Sequence, residues 1–233
     1  MKGTLAEQAY ERIKRGILKG EFPEGEFLSE AEITKRYGIG RTPFREACNR
    51  LHNEQLLEVL PRRGYFVPEL SFRAVRDLLE TRLVLEGVAA ELAATRSEPA
   101  EVKRLEELYQ KVLRAARSRA QIDALVESNR EFHLEIARLA HNRELESLLR
   151  GVLERSTRLV YLAARSSTGL ERDVAHLLKP IVEAIRAGQP RAAHEAVVND
   201  ITRGQLNALG HDLWASTSSS PAVLIEGKQK RKR

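Results

Sequence analysis

The sequence is almost without cysteine: Cys48 is the single one in 233 residues. No internal disulfide can form, and a reducing compartment fits. Long apolar runs are missing as well. None approaches the roughly 20 residues of a membrane span, and the opening "MKGTLAEQAYERIK" has no apolar core of signal-peptide length. A soluble, cytoplasmic protein is expected. There is no HExxH and no glycine-rich phosphate loop, which argues against the enzyme chemistries those motifs carry. No repeat of fixed period is visible either.

What is present is charge, unevenly placed. The formal net charge is +6. The last 18 residues, "STSSSPAVLIEGKQKRKR", supply +4 of it with five Lys/Arg against one Glu. Residues 215–233 are therefore expected to form a disordered basic tail. A second +4 lies between Lys35 and Arg63, with seven Lys/Arg against three Glu. A local basic face of this kind suggests an anionic partner.

Local signals around that face are dense. Tyr10, Ile13 and Ile17 recur at helical spacing, which predicts an amphipathic helix over roughly 5–19. "GEFPEGEF" breaks it. Ser29 reads as the next N-cap, with Glu32 completing a capping box and Leu28 and Ile33 as its hydrophobic staple. "YGIG" ends that helix, Gly38 supplying the positive φ of the turn. Thr42 then reads as an N-cap, with Pro43 at the first helical position. Phe44, Ala47, Cys48 and Leu51 form an apolar stripe, so burying them points Arg45 and Asn49 outward. "LLEVLPRRGYFVPEL" follows and reads as a β-hairpin with a basic tip.

Three helices and a hairpin make a winged helix-turn-helix. The helix after Gly40 suits the major groove, where Arg pairs bidentately with guanine and Asn with adenine. Candidate DNA contacts are Arg41, Thr42, Arg45 and Asn49 on the helix, and Arg62, Arg63 and Gly64 on the hairpin. The stretch from Leu28 to Val67 resembles the DNA-binding domain of GntR-family transcription regulators, through "GRTPFREACNRL" followed by "LPRRGYFV". The resemblance implies base contacts near Arg41 and Arg45, phosphate contacts around Thr42 and wing contact at Gly64. Two departures stand out: Gly40 where the family usually has Ser or Thr, and Cys48 where it usually has Leu.

After Pro68 no convincing strand appears. Helical patterns near 71–96, 99–117, 119–140, 143–165, 170–187 and 190–214 predict an all-α antiparallel bundle of about six helices. The chain is thus read as mainly α in three parts: residues 1–69, residues 70–214 and the tail. Several polar residues fall on apolar stripes of the second part. Arg82 shares a face with Val75, Leu78, Leu85, Ala89 and Leu92. Asn129 and His133 lie one turn apart beside Phe132 and Ile136, and Asp200 lies beside Val197 and Ile201. Converging buried polar groups suggest a polar cavity. A structural network, such as Arg82 paired with Asp200, fits the same pattern.

Residues 71–210 also resemble the FCD ligand-binding domain of the FadR subfamily, through "ETRLVLEGVAAELAA", "NREFHLEIARLAHNREL" and "IVEAIRAGQPRAAHEAVVNDI". The resemblance implies a small organic acid as effector, often beside a divalent metal held by an Asp and three His. Here Asn129 stands in the Asp position, His133 matches the first His, Leu178 stands where the next belongs and Asp200 where the last would be. Asn129, His133 and Asp200 could still hold a cation, but three weak ligands do not favour one, and no metal is expected. Arg82 then becomes the anchor for an effector carboxylate. The expected function is a homodimeric, effector-responsive transcription regulator, a repressor acting at an inverted-repeat operator in double-stranded DNA. Two alternatives remain: a constitutive DNA-binding protein whose bundle only dimerises, and an enzyme with a DNA-binding appendage.

Overall fold

Residues 3–166 and 170–209 are described by the computed structural model. The predicted tail, and the end of the last predicted helix at 210–214, lie outside them. The first helix, α1 (Leu5–Leu18), starts at a reciprocal capping box. Glu7 N–H donates to Thr4 Oγ1 at 3.2 Å, and Thr4 N–H donates to Glu7 Oε2 at 2.8 Å. At α2 (Glu30–Tyr37) Ser29 caps as expected, accepting from Glu32 N–H at 3.3 Å. The return bond from the Glu32 side chain does not form, so the predicted box is half made. Leu28 and Ile33 are both buried, and Gly38 ends the helix at φ 66°.

The next helix, α3 (Arg41–Asn53), begins two residues earlier than its sequence suggests, with Gly40 as N-cap and no side-chain cap bond. The reason is on the backbone: Phe44 N–H already donates to Gly40 C=O at 3.1 Å. Thr42 and Pro43 therefore sit inside the first turn. Proline is tolerated there because the N–H it lacks would have no intrahelical acceptor. Strands β1 (Glu58–Leu60) and β2 (Gly64–Phe66) pair antiparallel, with Val59 opposite Tyr65. The segment before α2, read from sequence only as a breaker, adds a short third edge. Phe27 bridges Phe66, and Leu28 N–H donates to Tyr65 C=O at 2.8 Å.

These elements close one hydrophobic cluster around Tyr10, Ile13, Ile17, Ile33, Phe44, Cys48, Leu51 and Val67. Burying Phe44 alone contributes about 2 kcal/mol. A second cluster is built by six further helices among the described residues. They are α4 (Phe72–Arg96), α5 (Pro99–Ala116), α6 (Ile122–Leu139), α7 (Arg143–Ser166), α8 (Leu170–Arg186) and α9 (Pro190–Leu209). One turn of 3-10 helix, Arg119–Gln121, precedes α6. Within the bundle α4 packs on α9, α5 on α6, and α8 on both α5 and α9.

Ion pairs join the two clusters. Lys14 of α1 lies 2.9 Å from Glu154 of α7, and Lys19 lies 2.5 Å from Asp123 of α6. Arg158, one turn beyond Glu154, pairs with Glu24 and donates to Pro68 C=O at 3.2 Å. Glu24 in turn accepts from Leu70 N–H at 3.0 Å, in the connection between the clusters. Charged contacts of this kind orient one unit on the other without merging their cores.

Cys48 is completely buried. Burial, and then the nearby Glu30 carboxylate, push its thiol up to about 12. The thiol should therefore be inert to an aromatic disulfide reagent at pH 8 in the native protein and react on unfolding in urea. Rapid native-state labelling would contradict this packing.

Candidate functional site

The outward side of α3 is built by what its inward side buries. Phe44, Ala47, Cys48 and Leu51 are at most 2% exposed, whereas Arg41, Thr42, Arg45 and Asn49 are all exposed. Arg41 and Arg45 stand one turn apart, as do Arg45 and Asn49. One acidic side chain faces both arginines: Glu30, at the first position of α2, lies 3.1 Å from Arg41 Nε and 3.6 Å from Arg45 Nε. Asn49 is not wholly free to read a base, because its Oδ1 accepts from Tyr65 O–H at 2.8 Å. Adenine recognition needs both ends of that amide. In this conformation Asn49 ties β2 to α3.

The wing tip is shaped by two left-handed residues. Arg62 has φ 64° and Gly64 has φ 104°. Glycine adopts such angles freely, whereas arginine is strained there by about 1 kcal/mol. Arg62 and Arg63 are exposed, and Arg63 lies over the Phe27 ring at 4.5 Å. Tyr65 packs edge-on against Phe44 at 5.8 Å, so wing and helix form one basic surface.

In the bundle the structure joins three of the four predicted polar residues through Glu86, which no apolar stripe announces. Arg82 Nε donates to Glu86 Oε1 at 2.5 Å. Glu86 Oε2 lies 2.7 Å from His133 Nδ1, and His133 Nε2 lies 3.3 Å from Asp200 Oδ2. Arg82 thus pairs with Glu86 and not with Asp200. Its two terminal nitrogens have no acceptor among the described residues. The Nδ1 contact is close but poorly aligned as a hydrogen bond. Asn129 is half-buried and makes no hydrogen bond to the network.

Arg82, Glu86 and His133 are buried, while Asp200 is partly open. Burial alone would raise the Glu86 pKa, but the charges of Arg82 and His133 hold it down at about 2. Burial likewise works against a charged His133, yet Glu86 and then Asp200 hold its pKa up at about 9. Carboxylates on both sides of the ring favour the protonated imidazole. Each ring nitrogen faces a carboxylate, Glu86 at Nδ1 and Asp200 at Nε2, so a metal there would have to displace a proton. Leu178, standing where the FCD pattern has a His, is 1% exposed and part of the core. Among the described residues no three His, Cys, Asp or Glu converge as a ligand set. The residues present do not fit the divalent metal that the FCD resemblance implies.

Glu86 escapes the sequence pattern because the buried stripe of α4 is rotated from the one its leucines suggest. Val75, Leu79, Arg82, Glu86, Ala89 and Ala93 are buried, while Leu78, Leu85 and Leu92 are half-buried. An Arg followed by a Glu four residues on usually marks a solvated pair. The small residues around it, Gly87, Ala89, Ala90, Ala93 and Ala94, carried the signal, since they let α9 approach closely. A Cβ at Gly87 would meet the His194 ring at 2.7 Å.

A winged helix with a basic reading face, joined to a helical bundle with a polar interior, defines a DNA-binding transcriptional regulator. The family of bacterial regulatory proteins called gntR matches residues 5–67, and the FCD domain matches residues 77–203. The chain belongs to the gntR family, in the group that carries an FCD domain, and its relatives are transcriptional regulators rather than enzymes. It is 30% identical to an uncharacterized HTH-type transcriptional regulator of Bacillus subtilis over 62% of this chain and 65% of that one. A probable D-xylose utilization operon transcriptional repressor of Paenarthrobacter nicotinovorans is 29% identical over 85% and 86%. In fold the chain is like Escherichia coli McbR/YncC, with TM-score 0.72 at 21% identity over 86% of this chain and 95% of that one. A putative GntR regulator from Rhodococcus sp. RHA1 follows at TM-score 0.68 and 20% identity over 88% and 97%. No helix among the described residues is long and apolar enough to cross a membrane.

Glu86→Gln should cost about 3–5 kcal/mol in urea unfolding, because two buried cations lose their shared carboxylate. The contribution of His133 is complete below its unfolded pKa of 6.5 and is lost as pH rises through about 9. Wild-type stability minus that of His133→Gln should therefore decline from pH 7 to 10. A flat difference would mean that the imidazolium is absent.

Proposed function

We propose that the chain is a cytoplasmic, homodimeric repressor at an inverted-repeat operator, its operator affinity modulated by a small organic acid bound in its bundle. Residues 1–69 dock on DNA, residues 70–214 bind the effector and pair the subunits, and residues 215–233 are a basic tail. The observation that carries this reading is the outward, exposed presentation of Arg41, Thr42 and Arg45 on a helix whose other side is buried. The wing residues Arg62, Arg63 and Gly64 extend the same surface, and Asn49 joins its two parts. A single winged helix reads a short half-site, and two tethered copies multiply its discrimination. The relative named as a probable D-xylose utilization operon repressor supports repression.

For the effector, Arg82 supplies the anchor. Glu86 holds its Nε, which leaves the paired terminal nitrogens to meet a carboxylate. Asn129, His133 and Asp200 complete the polar lining. Transmission runs along α6 and α7, since α6 carries both His133 and Asp123, and α7 carries Glu154 and Arg158. A ligand that shifts these helices changes the pose of the reading helix, and by linkage changes DNA affinity. One observation favours a scaffold-only bundle: the buried network is already internally paired. A thermal-shift screen with organic acids separates the two, because a ligand of the native state raises the melting temperature.

On a duplex selected from a random pool, Arg45→Ala should lose about 1–3 kcal/mol and relax base preference. Replacing Arg62 and Arg63 with Ala should weaken all sequences alike and flatten the salt dependence by about one counterion per lost phosphate contact. Glu154→Gln should leave the melting shift by an effector intact while reducing that effector's influence on DNA affinity. Undiminished influence would place the transmission elsewhere.

A further inference from the structure

The geometry points to Glu30 as a positioning and specificity-determining residue for DNA recognition, bridging the two arginines of the reading helix. The inference rests on the docking of α3 proposed above. Glu30 lies on a different helix from Arg41 and Arg45, yet each of its carboxylate oxygens faces one of them. Oε1 is 3.1 Å from Arg41 Nε, and Oε2 is 3.6 Å from Arg45 Nε. Two guanidinium groups one turn apart repel each other, and a carboxylate between them offsets that repulsion. Glu30 is itself held. It sits at the first position of α2 behind the Ser29 cap, where the helix dipole favours a negative charge. Its side chain is only 30% exposed, against 84% and 66% for its partners.

The atoms engaged matter more than the energy of an exposed pair, which is small. Both arginines approach the carboxylate through Nε, at ion-pair distance. That leaves the two terminal nitrogens of each as the outward edge, the edge that guanine O6 and N7 accept together. The same carboxylate places a negative charge at the face that meets the duplex. Where base edges do not hold the arginines, that charge repels the phosphates. Glu30 should therefore lower affinity for random DNA and preserve it for the operator. A residue that served only to start α2 would affect stability and leave discrimination unchanged.

Wild type, Glu30→Gln and Arg45→Ala are compared on the duplex that wild type selects from a random pool and on a scrambled duplex, by fluorescence anisotropy across salt concentrations. Glu30→Gln should bind the scrambled duplex several-fold tighter, with a salt slope steeper by about one, and its ratio of selected to scrambled affinity should fall about tenfold, 1.4 kcal/mol being a factor of ten. Base preference should weaken at the positions Arg45→Ala also loses. In the free wild type at low salt, the Nε–H signals of Arg41 and Arg45 should be ordered by NMR relaxation. This second measurement needs no variant. Wild-type discrimination in Glu30→Gln, or freely averaging Nε–H groups, overturns the positioning role while leaving the docking of α3 standing. Full base preference in Arg45→Ala overturns the docking itself, and this proposal with it.

Discussion

The molecule's contact with DNA depends on one packing event: the apolar side of α3 sinks into α1 and the hairpin. Ile13, Ile17 and Tyr10 come from α1, Val67 from the end of the hairpin, and Phe44, Cys48 and Leu51 from α3 itself. A helix has one rotational setting that buries this stripe. Once it is adopted, Arg41, Thr42 and Arg45 have nowhere to go but outward. The edge contact of Tyr65 with Phe44 and its hydrogen bond to Asn49 then fix the hairpin against that surface. Recognition surface and core are two sides of the same arrangement.

The bundle solves a different problem. It buries Arg82, Glu86 and His133 within a helical core, and charges so placed are tolerated only when paired. Alternation of sign along the chain Arg82, Glu86, His133, Asp200 meets that condition without a metal. The same alternation favours protons on the His133 ring, which a metal would have to displace. Substituting Asn, Leu and Asp for the implied ligands is thus consistent with an interior that balances its own charge. The ion pairs at Lys14, Lys19 and Arg158 link this interior to the DNA-facing unit through the helices that carry its residues.

Local order was largely legible in the sequence. Caps, glycine stops and apolar periodicity placed the three N-terminal helices, the hairpin and six bundle helices, because each signal lies within a few residues of its effect. What local signals did not give came from one backbone turn and from contacts between elements. Thr42 is a better side-chain cap than Gly40, yet the backbone closes its first turn on Gly40. The hydrogen bond of Tyr65 to Asn49 was not legible, because nothing nearby in the chain announces it. In α4 the leucines suggested one stripe, but the alanines and Gly87 mark the side where α9 comes closest.

By itself the sequence determined the kind of protein this is: its helices, its basic face and the membership of both parts in known domain families. Periodicity and capping are properties of neighbouring residues, so they survive without coordinates. Which charges meet was decided only by tertiary structure. Glu30 reaches Arg41 and Arg45 across a turn, Glu86 reaches His133 across a helix interface, and Lys14 reaches Glu154 across two units. Pairings of this sort depend on distances between elements, and a linear pattern carries no information about those distances until the chain has packed.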